Sequence, residues 1–183
     1  MRHLDGVVRR TLRAAALAMV CIPAPLTAQD TDLSRSQRQI EDRTEVLATV
    51  RALFRALGER DVVRLEEHFL PQALTTAVRF EAGAEYPSVQ SLPEVLESIA
   101  AVTVPMTERI WDPEVRVDGD LASLWAPYDF YVDGSFSHCG HDAVHLVRVD
   151  GRWRVLSMTY TIAEPPACRL HPDGPPLGRG ISP

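Results

Sequence analysis

The chain has 183 residues, of which 45% are hydrophobic and 24% are charged, and its formal net charge at pH 7 is -6. This composition is that of a single globular domain and excludes a disordered, collagen-like or multi-span membrane protein. The sequence contains no Lys and no Asn, which excludes Schiff-base chemistry, a P-loop and N-glycosylation. Both amino acids have AT-rich codons, so their absence indicates a bacterial gene of high GC content.

Residues 1–28 have the features of a secretory signal peptide. Four arginines among the first 13 residues precede the apolar run 14–22, which is too short to span a bilayer, and the small residue Ala28 provides a cleavage position. Attachment as a lipoprotein through Cys21 and export by the twin-arginine route are the alternatives. We therefore expect an exported bacterial protein, periplasmic or extracellular, that is free of the membrane after cleavage.

Cleavage changes the charge and the cysteine content of the mature chain. It removes four Arg and one Asp, and the more acidic chain that remains has no electrostatic reason to bind nucleic acid or an anionic membrane. It also removes Cys21 and leaves Cys139 and Cys168. An even pair in an oxidising compartment predicts one disulfide, and two free thiols are the alternative.

The first part of the mature chain predicts helices. Residues 29–36 are polar and are expected to be disordered. From Gln37 to Leu57, apolar residues recur at i, i+3 and i+4 spacing and predict an amphipathic helix that Gly58 ends. Asp61 can cap a second, shorter helix, which Pro71 stops.

A strand and a third helix follow, and the chain then becomes rich in strands. Residues 75–81 alternate and carry β-branched side chains, which predicts a strand. Ser91 caps a third helix that extends to about Ala101, with Pro93 in its first turn. Five further strands are predicted over 106–111, 114–117, 121–132, 136–149 and 152–162.

Asp-Gly pairs separate these strands at 118–119, 133–134 and 150–151. Asp-Gly between alternating segments favours a type I′ hairpin turn, because both of its central positions need a positive φ. Helices followed by an antiparallel meander predict an α+β domain in which the helices cover one face of the sheet. The Pro-rich tail, 164–183, is expected to be irregular and exposed.

Three strand motifs carry a family resemblance, namely GDLASLW at 119–125, SHCGHD at 137–142 and GRWRV at 151–155. With a short helix ending in Phe-Leu-Pro, they resemble the nuclear transport factor 2-like superfamily, and within it the SnoaL-like polyketide cyclases and the lumazine-binding-like bacterial proteins. The resemblance implies a domain over 37–163, a cone of three N-terminal helices packed on a curved, mostly antiparallel meander sheet. Isomerases, cyclases, dehydratases and non-catalytic binders share this fold, so function must come from the site.

Two-residue turns fix the register, so cross-strand partners can be computed. Asp129 is then expected opposite His138, and Trp125, Asp142 and Thr159 form one row on the same face. Apolar side chains with a few polar groups are typical of a ligand pocket. The residues expected to line this pocket are Trp111, Ser123, Trp125, Tyr131, Trp153, Ser157 and Thr159.

The opposite face is expected to be too apolar to contact water, and we predict a homodimer through this outer sheet face. The alternative is that the two faces are exchanged and that this one is the core under the helices. Its residues are Leu124, Ala126, Tyr128, Phe130, Ala143, Leu156, Met158, Tyr160 and Ile162.

His138 and Asp129 form the sharpest candidate pair, because a carboxylate beside an imidazole favours the charged ring and allows proton transfer. Asp142 is expected between two tryptophans, where burial raises a carboxyl pKa and suits a catalytic base. The alternative is that these groups only bond to neighbouring backbone. On a strand, His141 and His145 would be about 13 Å apart, so no metal site and no cofactor are expected.

The leading hypothesis is an exported protein that binds a small apolar or aromatic molecule in its cone, with no reaction assigned. The first alternative is a cofactor-free isomerase, cyclase or dehydratase that uses Asp142 and His138 for proton transfer. The second alternative is a non-catalytic structural dimer whose pocket is filled by side chains.

Overall fold

The computed structural model describes residues 28–79 and 87–176, so the predicted signal peptide before Ala28 and the last seven residues of the tail lie outside the described part. Three helices are present, α1 (Ala28–Glu59), α2 (Val62–Glu67) and α3 (Leu92–Ala101). The strands are β1 (Phe69–Arg79), β2 (Ser88–Ser91), β3 (Met106–Ile110), β4 (Glu114–Asp118), β5 (Leu121–Val132), β6 (Ser135–Val149) and β7 (Arg152–Ile162).

Helix α1 is longer at both ends than the sequence predicts. It begins at Ala28 and so includes 29–36, the segment expected to be disordered, because adding a residue to an existing helix avoids the cost of nucleation. Gly58 lies inside the helix, and a Cβ there would be 2.9 Å from the carbonyl oxygen of Met106. The helix ends instead at Glu59, and Arg60 adopts a left-handed φ of 58°.

The other two helices begin as the sequence predicts. The carboxylate of Asp61 accepts a hydrogen bond of 3.0 Å from the Arg64 backbone N–H and caps α2. At the start of α3, the carboxylate of Glu94 accepts hydrogen bonds of 2.7 Å from both the N–H and the hydroxyl of Ser91. Across the described residues, no helix combines the length and the apolar character that a membrane span requires.

The strands form one sheet in the order β2-β1-β7-β6-β5-β3, and β4 also pairs with β5. The β1–β7 pair is parallel and the other pairs are antiparallel. The three helices pack on one face of this sheet, and Val46, Val50, Leu53 and Phe54 of α1 are buried in the shared core. The α+β fold with a mostly antiparallel sheet is therefore confirmed.

Two of the three Asp-Gly turns have the predicted geometry. Asp133 and Gly134 have φ values of 51° and 74°, and Asp150 and Gly151 have φ values of 51° and 73°. Both central residues are therefore left-handed, as a type I′ turn requires. Each turn sets the register of the strand ends next to it, where Tyr131 pairs with Phe136 and Leu146 pairs with Val155.

Two β-bulges change this register further along the same strands. Between β5 and β6, Phe130 pairs with His138, so that Ser137 is an extra residue. Between β6 and β7, His145 pairs with Ser157, so that Leu156 is an extra residue. A shift of one residue moves every later side chain to the opposite face relative to the partner strand.

Because of the bulges, the cross-strand pairs predicted from the turns are wrong. Asp129 pairs with Cys139 rather than with His138, and Asp142 pairs with Ala126 and Tyr160 rather than with Trp125 and Thr159. Along β5 and the second half of β7, the inner and outer faces are the reverse of those predicted. The residues that were predicted on the outer face but face the helices are Leu124, Ala126, Tyr128, Phe130, Met158, Tyr160 and Ile162.

The homodimer prediction rested on a contiguous apolar outer face. Most of the residues of that face are covered by the helices, so this support for a homodimer is gone. The outer face is partly covered by residues 164–176 of the C-terminal tail, which form no helix or strand. Ala163 exchanges two backbone hydrogen bonds of 3.0 and 2.9 Å with Cys139. Cys168 then returns to within disulfide-bonding distance of Cys139, with their Cα atoms 5.8 Å apart, and the bond itself stays a prediction.

Candidate functional site

A cavity of about 310 Å³ lies between the three helices and the sheet. Its wall is mostly apolar and comes from all three helices and from strands β1, β2, β3, β5, β6 and β7. The apolar lining residues include Leu53, Phe54, Leu57, Leu65, Phe69, Val95, Ile99, Met106, Phe130, Met158 and Ile162. The polar lining residues are Thr75, Arg79, Gln90, Ser98, Glu108, Tyr128, His138 and Tyr160.

Two carboxyl groups meet at one end of this cavity. Glu108 of β3 lines the cavity, and Asp142 of β6 lies behind it with 0% of its surface exposed. Among the described residues, no N–H or hydroxyl donor reaches either carboxyl oxygen of Asp142. Glu108 and Asp142 each affect the pKa of the other, so the two carboxyl groups are electrostatic neighbours.

Burial is the main cause of the raised pKa values of these two carboxyl groups. It raises the pKa of Glu108 to about 8. It also raises the pKa of Asp142 well above the ordinary value, and the neighbouring Glu108 raises it further. The interior disfavours a charged carboxylate, and two such groups in contact cannot both ionise cheaply. The pair is therefore protonated near neutral pH and presents an acid group to the cavity.

Two tyrosines extend the polar end of the cavity. The hydroxyl of Tyr128 donates a hydrogen bond of 2.7 Å to the carbonyl oxygen of Thr161. Burial raises the pKa of Tyr128 far above its usual value, with smaller effects of Glu108 and Asp142. Burial also raises the pKa of Tyr160. Both phenols therefore stay neutral and can act in the cavity as hydrogen-bonding groups.

His138 lines the cavity four residues from Asp142 on the same strand. Its Nδ1 atom lies 2.9 Å from the Ser137 hydroxyl, and its ring packs 5.0 Å from Phe130. Burial lowers the pKa of His138, and Arg79 adds to the effect, so the imidazole is neutral at neutral pH. A strand rises about 3.3 Å per residue, so the Cα atoms of His138 and Asp142 are roughly 13 Å apart. Of these two residues, only His138 lines the cavity.

Asp129 lies on the outer face of the sheet and not beside His138. It is 0% exposed and accepts hydrogen bonds of 2.9 and 2.6 Å from the Arg109 guanidinium. A third hydrogen bond of 3.1 Å comes from the backbone N–H of His171 in the tail. Asp129 therefore holds the tail against the sheet, and the predicted pair of Asp129 with His138 does not form.

The residues predicted to line a pocket lie outside the cavity. Trp125 is 48% exposed and stacks on His141 at 5.2 Å, while Trp111 packs edge-on against His171. Trp153 belongs to the core, under the guanidinium of Arg148. The remaining four, on the outer face or away from the cavity, are Ser123, Tyr131, Ser157 and Thr159.

Sequence reasoning missed Glu108, although β3 itself was predicted. Met106, Glu108 and Ile110 alternate onto one face of that strand, so an acid lies between two apolar positions. A charged residue on an apolar face is a signal of a buried titratable group. No cluster of three or more metal-ligating side chains occurs in the part of the chain that the structure describes.

A family sequence profile described as "Putative lumazine-binding" matches residues 41–161. This match covers α1 from its middle onward, the remaining helices and nearly all of the sheet. It includes both carboxyl groups at the end of the cavity. No protein with a curated description matches the chain.

Solved structures share the fold at low sequence identity. An NTF2-like protein from Cytophaga hutchinsonii has a TM-score of 0.57 and 14% identity, over 66% of this chain and 98% of that one. A putative dehydratase of the NTF2-like family from Streptomyces avermitilis has a TM-score of 0.55 and 18% identity, over 67% and 96%. A putative aromatic ring hydroxylase from Novosphingobium aromaticivorans has a TM-score of 0.53 and 18% identity, over 69% and 92%.

The carboxyl pair should make the folded protein less stable as the pH rises. Folding raises both pKa values, that of Glu108 from 4.5 to about 8. The stabilising contribution of the bound protons is therefore complete below the ordinary pKa and is lost as the pH approaches the folded value. We expect the melting temperature to fall by several degrees between about pH 5 and about pH 9.

The double variant Glu108→Gln/Asp142→Asn should lose most of this pH dependence, because its amides do not titrate. Glu97→Gln, an exposed position on α3, is the matched control and should melt as the wild type does at each pH. Thermal unfolding followed by dye fluorescence gives the measurement. An unchanged slope in the double variant would show that other groups control the pH dependence.

Asp129→Asn should destabilise the protein without changing the titration of His138. The amide leaves the partly buried Arg109 guanidinium without its counter-ion, at a cost of about 3 kcal/mol, measurable by urea unfolding. Because Asp129 and His138 lie on opposite faces, the pKa of His138 should stay within about 0.2 units in NMR titration. A clear fall in the pKa of His138 would show that Asp129 and His138 do interact, which the observed register excludes.

Proposed function

Since this chain belongs to the "Putative lumazine-binding" family of nuclear transport factor 2-like proteins, we propose that it binds a small, mostly apolar or aromatic molecule in its cavity. The proposal is carried by the Glu108–Asp142 pair, whose pKa values burial raises, at one end of an apolar cavity of about 310 Å³. A buried acid that can donate a hydrogen bond orients a ligand within an apolar wall.

The size of the cavity supports a small ligand. Its volume of about 310 Å³ lies at the lower end of the range for small-molecule sites, which favours one or two fused rings over a larger molecule. It also weighs against the structural dimer, whose pocket would be filled by side chains.

The chemistry of the cavity favours a neutral acceptor group at the end where Glu108 lies. The protonated carboxyl of Glu108 can donate a hydrogen bond to a carbonyl or hydroxyl oxygen of the ligand. Lumazine, the compound in the family description, is a flat two-ring heterocycle with carbonyl oxygens. It is therefore the first natural probe for this site.

Export of the protein is part of the proposal. The basic and apolar N-terminal sequence favours a signal peptide, and Cys139 and Cys168 lie close enough to form a disulfide, a bond typical of exported proteins. The ligand would then be met in the periplasm or outside the cell. Mass spectrometry of the native protein, with and without reduction, tests both the cleavage after Ala28 and the disulfide.

Binding should depend on Glu108 and can be measured by fluorescence titration with 2-naphthol and with lumazine. Glu108→Leu removes the acid donor but keeps an apolar side chain, and we expect about tenfold weaker binding of both probes. Glu97→Leu is the matched control and should bind as the wild type does. If neither probe shows saturable binding to the wild-type protein, the proposal is contradicted.

Proton transfer is the second candidate function, because an acid with a pKa of about 8 is suited to exchange protons near neutral pH. In this mechanism Glu108 faces the reacting atom, burial raises its pKa, and Asp142 lies behind it. This arrangement replaces the predicted direct use of Asp142, since Asp142 does not line the cavity. An isomerase or dehydratase needs a base to remove a proton next to a carbonyl, and the ionised form of Glu108, which becomes abundant as the pH approaches 8, is such a base.

The ketone 2-tetralone tests this second candidate, because its acidic C–H protons exchange with D2O and can be followed by NMR. An enzyme of this kind should accelerate the exchange, and Glu108→Gln should reduce the acceleration at least about 100-fold. The Gln side chain still donates a hydrogen bond, so binding of the ketone should change little. Equal exchange rates with and without the protein would exclude this proton transfer and leave ligand binding as the function.

A further inference from the structure

Arg79 lies at the open end of the cavity. It is the last residue of β1, and because side chains alternate along a strand it shares a face with Thr75, which also lines the cavity. Arg79 is exposed. It also lines an adjoining surface groove whose other residues include His138 and Glu164. Its side chain is therefore placed where a ligand would enter.

The register places Arg79 at a fixed distance from Asp142, the residue behind Glu108. Arg79 pairs with Ile162, and Asp142 pairs with Tyr160, two residues earlier on β7. Arg79 and Asp142 are therefore two strands and two residues apart. With about 4.8 Å between strands and about 3.3 Å per residue, their Cα atoms are roughly 12 Å apart. A two-ring molecule with a polar group at each end can span this distance.

The charge of Arg79 acts on the cavity and is not neutralised by a described side chain. It lowers the pKa of His138, and it opposes the rise in the pKa of Tyr128 and of Tyr160. Within residues 34–79 and 87–176 no carboxylate forms an ion pair with it. Glu164 borders the groove but does not line the cavity.

The other titratable groups of the lining carry no charge near neutral pH. The carboxyl pair is protonated, His138 is neutral, and both tyrosines are neutral for the reasons given above. The cavity therefore has a neutral hydrogen-bonding end and a cationic end. Such a distribution discriminates against a cationic ligand and favours an anion at the mouth.

We propose that the ligand is a small apolar or aromatic monoanion whose carboxylate, or a comparable anionic group, contacts Arg79 at the mouth of the cavity. Its other end carries a neutral hydroxyl or carbonyl group that meets Glu108. This inference rests on the proposed function and adds the charge and the orientation of the ligand. An Arg guanidinium suits this role because it stays charged and can donate two hydrogen bonds to one carboxylate.

A pair of fluorescent probes tests the inference. The first, 6-hydroxy-2-naphthoate, has a hydroxyl at one end and a carboxylate at the other, and the second, 2-naphthol, lacks the carboxylate. We expect wild-type protein to bind the naphthoate about tenfold more tightly, and added salt should weaken only this probe. Arg79→Gln should abolish the preference while leaving the affinity for 2-naphthol within about twofold.

Three further variants make the test specific. Arg79→Lys keeps the charge and should retain part of the preference. Glu164→Gln removes a negative charge beside the groove and should strengthen naphthoate binding by about twofold. Arg152→Gln, at an exposed position at the start of β7, is the matched control and should leave both affinities unchanged.

The outcomes separate this inference from the proposed function. If 2-naphthol binds in a Glu108-dependent way but the naphthoate binds no more tightly, or if its tighter binding survives in Arg79→Gln, the contact between an anionic group and Arg79 is excluded and the binding site stands. If neither probe binds the wild-type protein, the proposed function and the inference both fail. A preference that is lost in Arg79→Gln and partly kept in Arg79→Lys supports the inference.

Discussion

The position of two extra residues decides which side chains reach the interior of this protein. Ser137 and Leu156 each add one residue to a strand of the central three-stranded region, and each addition reverses the faces of everything beyond it. Tyr128, Phe130 and Tyr160 thereby face the helices and help to form the cavity. Without the two bulges, the same sequence would direct these aromatic rings into water.

The protein stabilises two fully buried carboxyl groups in opposite ways. Asp129 on the outer face is paired, because Arg109 and a backbone N–H of the tail supply three hydrogen bonds. Asp142 has no such donors among the described residues, and burial with the neighbouring Glu108 raises its pKa instead. A buried carboxyl group must be either paired or protonated. The first solution fixes a segment in place, and the second leaves a group whose proton is available to a ligand.

Local signals in the sequence were enough to predict the helices, most strand limits and the turns, since caps and Asp-Gly pairs act within a few residues. They were not enough to predict the faces, because a bulge depends on packing between strands and has no short sequence signature here. Asp142 and His138 were therefore placed on the correct face of β6, while Trp125 and Thr159 were placed wrongly on their own strands. Glu108 was missed because its neighbour Asp142 lies on β6, a strand that neither follows β3 directly in the sequence nor pairs with it in the sheet.

The parallel pairing of β1 with β7 has a consequence for how the chain is assembled. Phe69 near the start of the domain lies beside Val155 near its end, so the middle of the sheet cannot close until the ribosome has made almost the whole chain. Contacts between such distant segments slow folding. The cavity, which residues of both β1 and β7 line, can therefore form only after the last strand has been made.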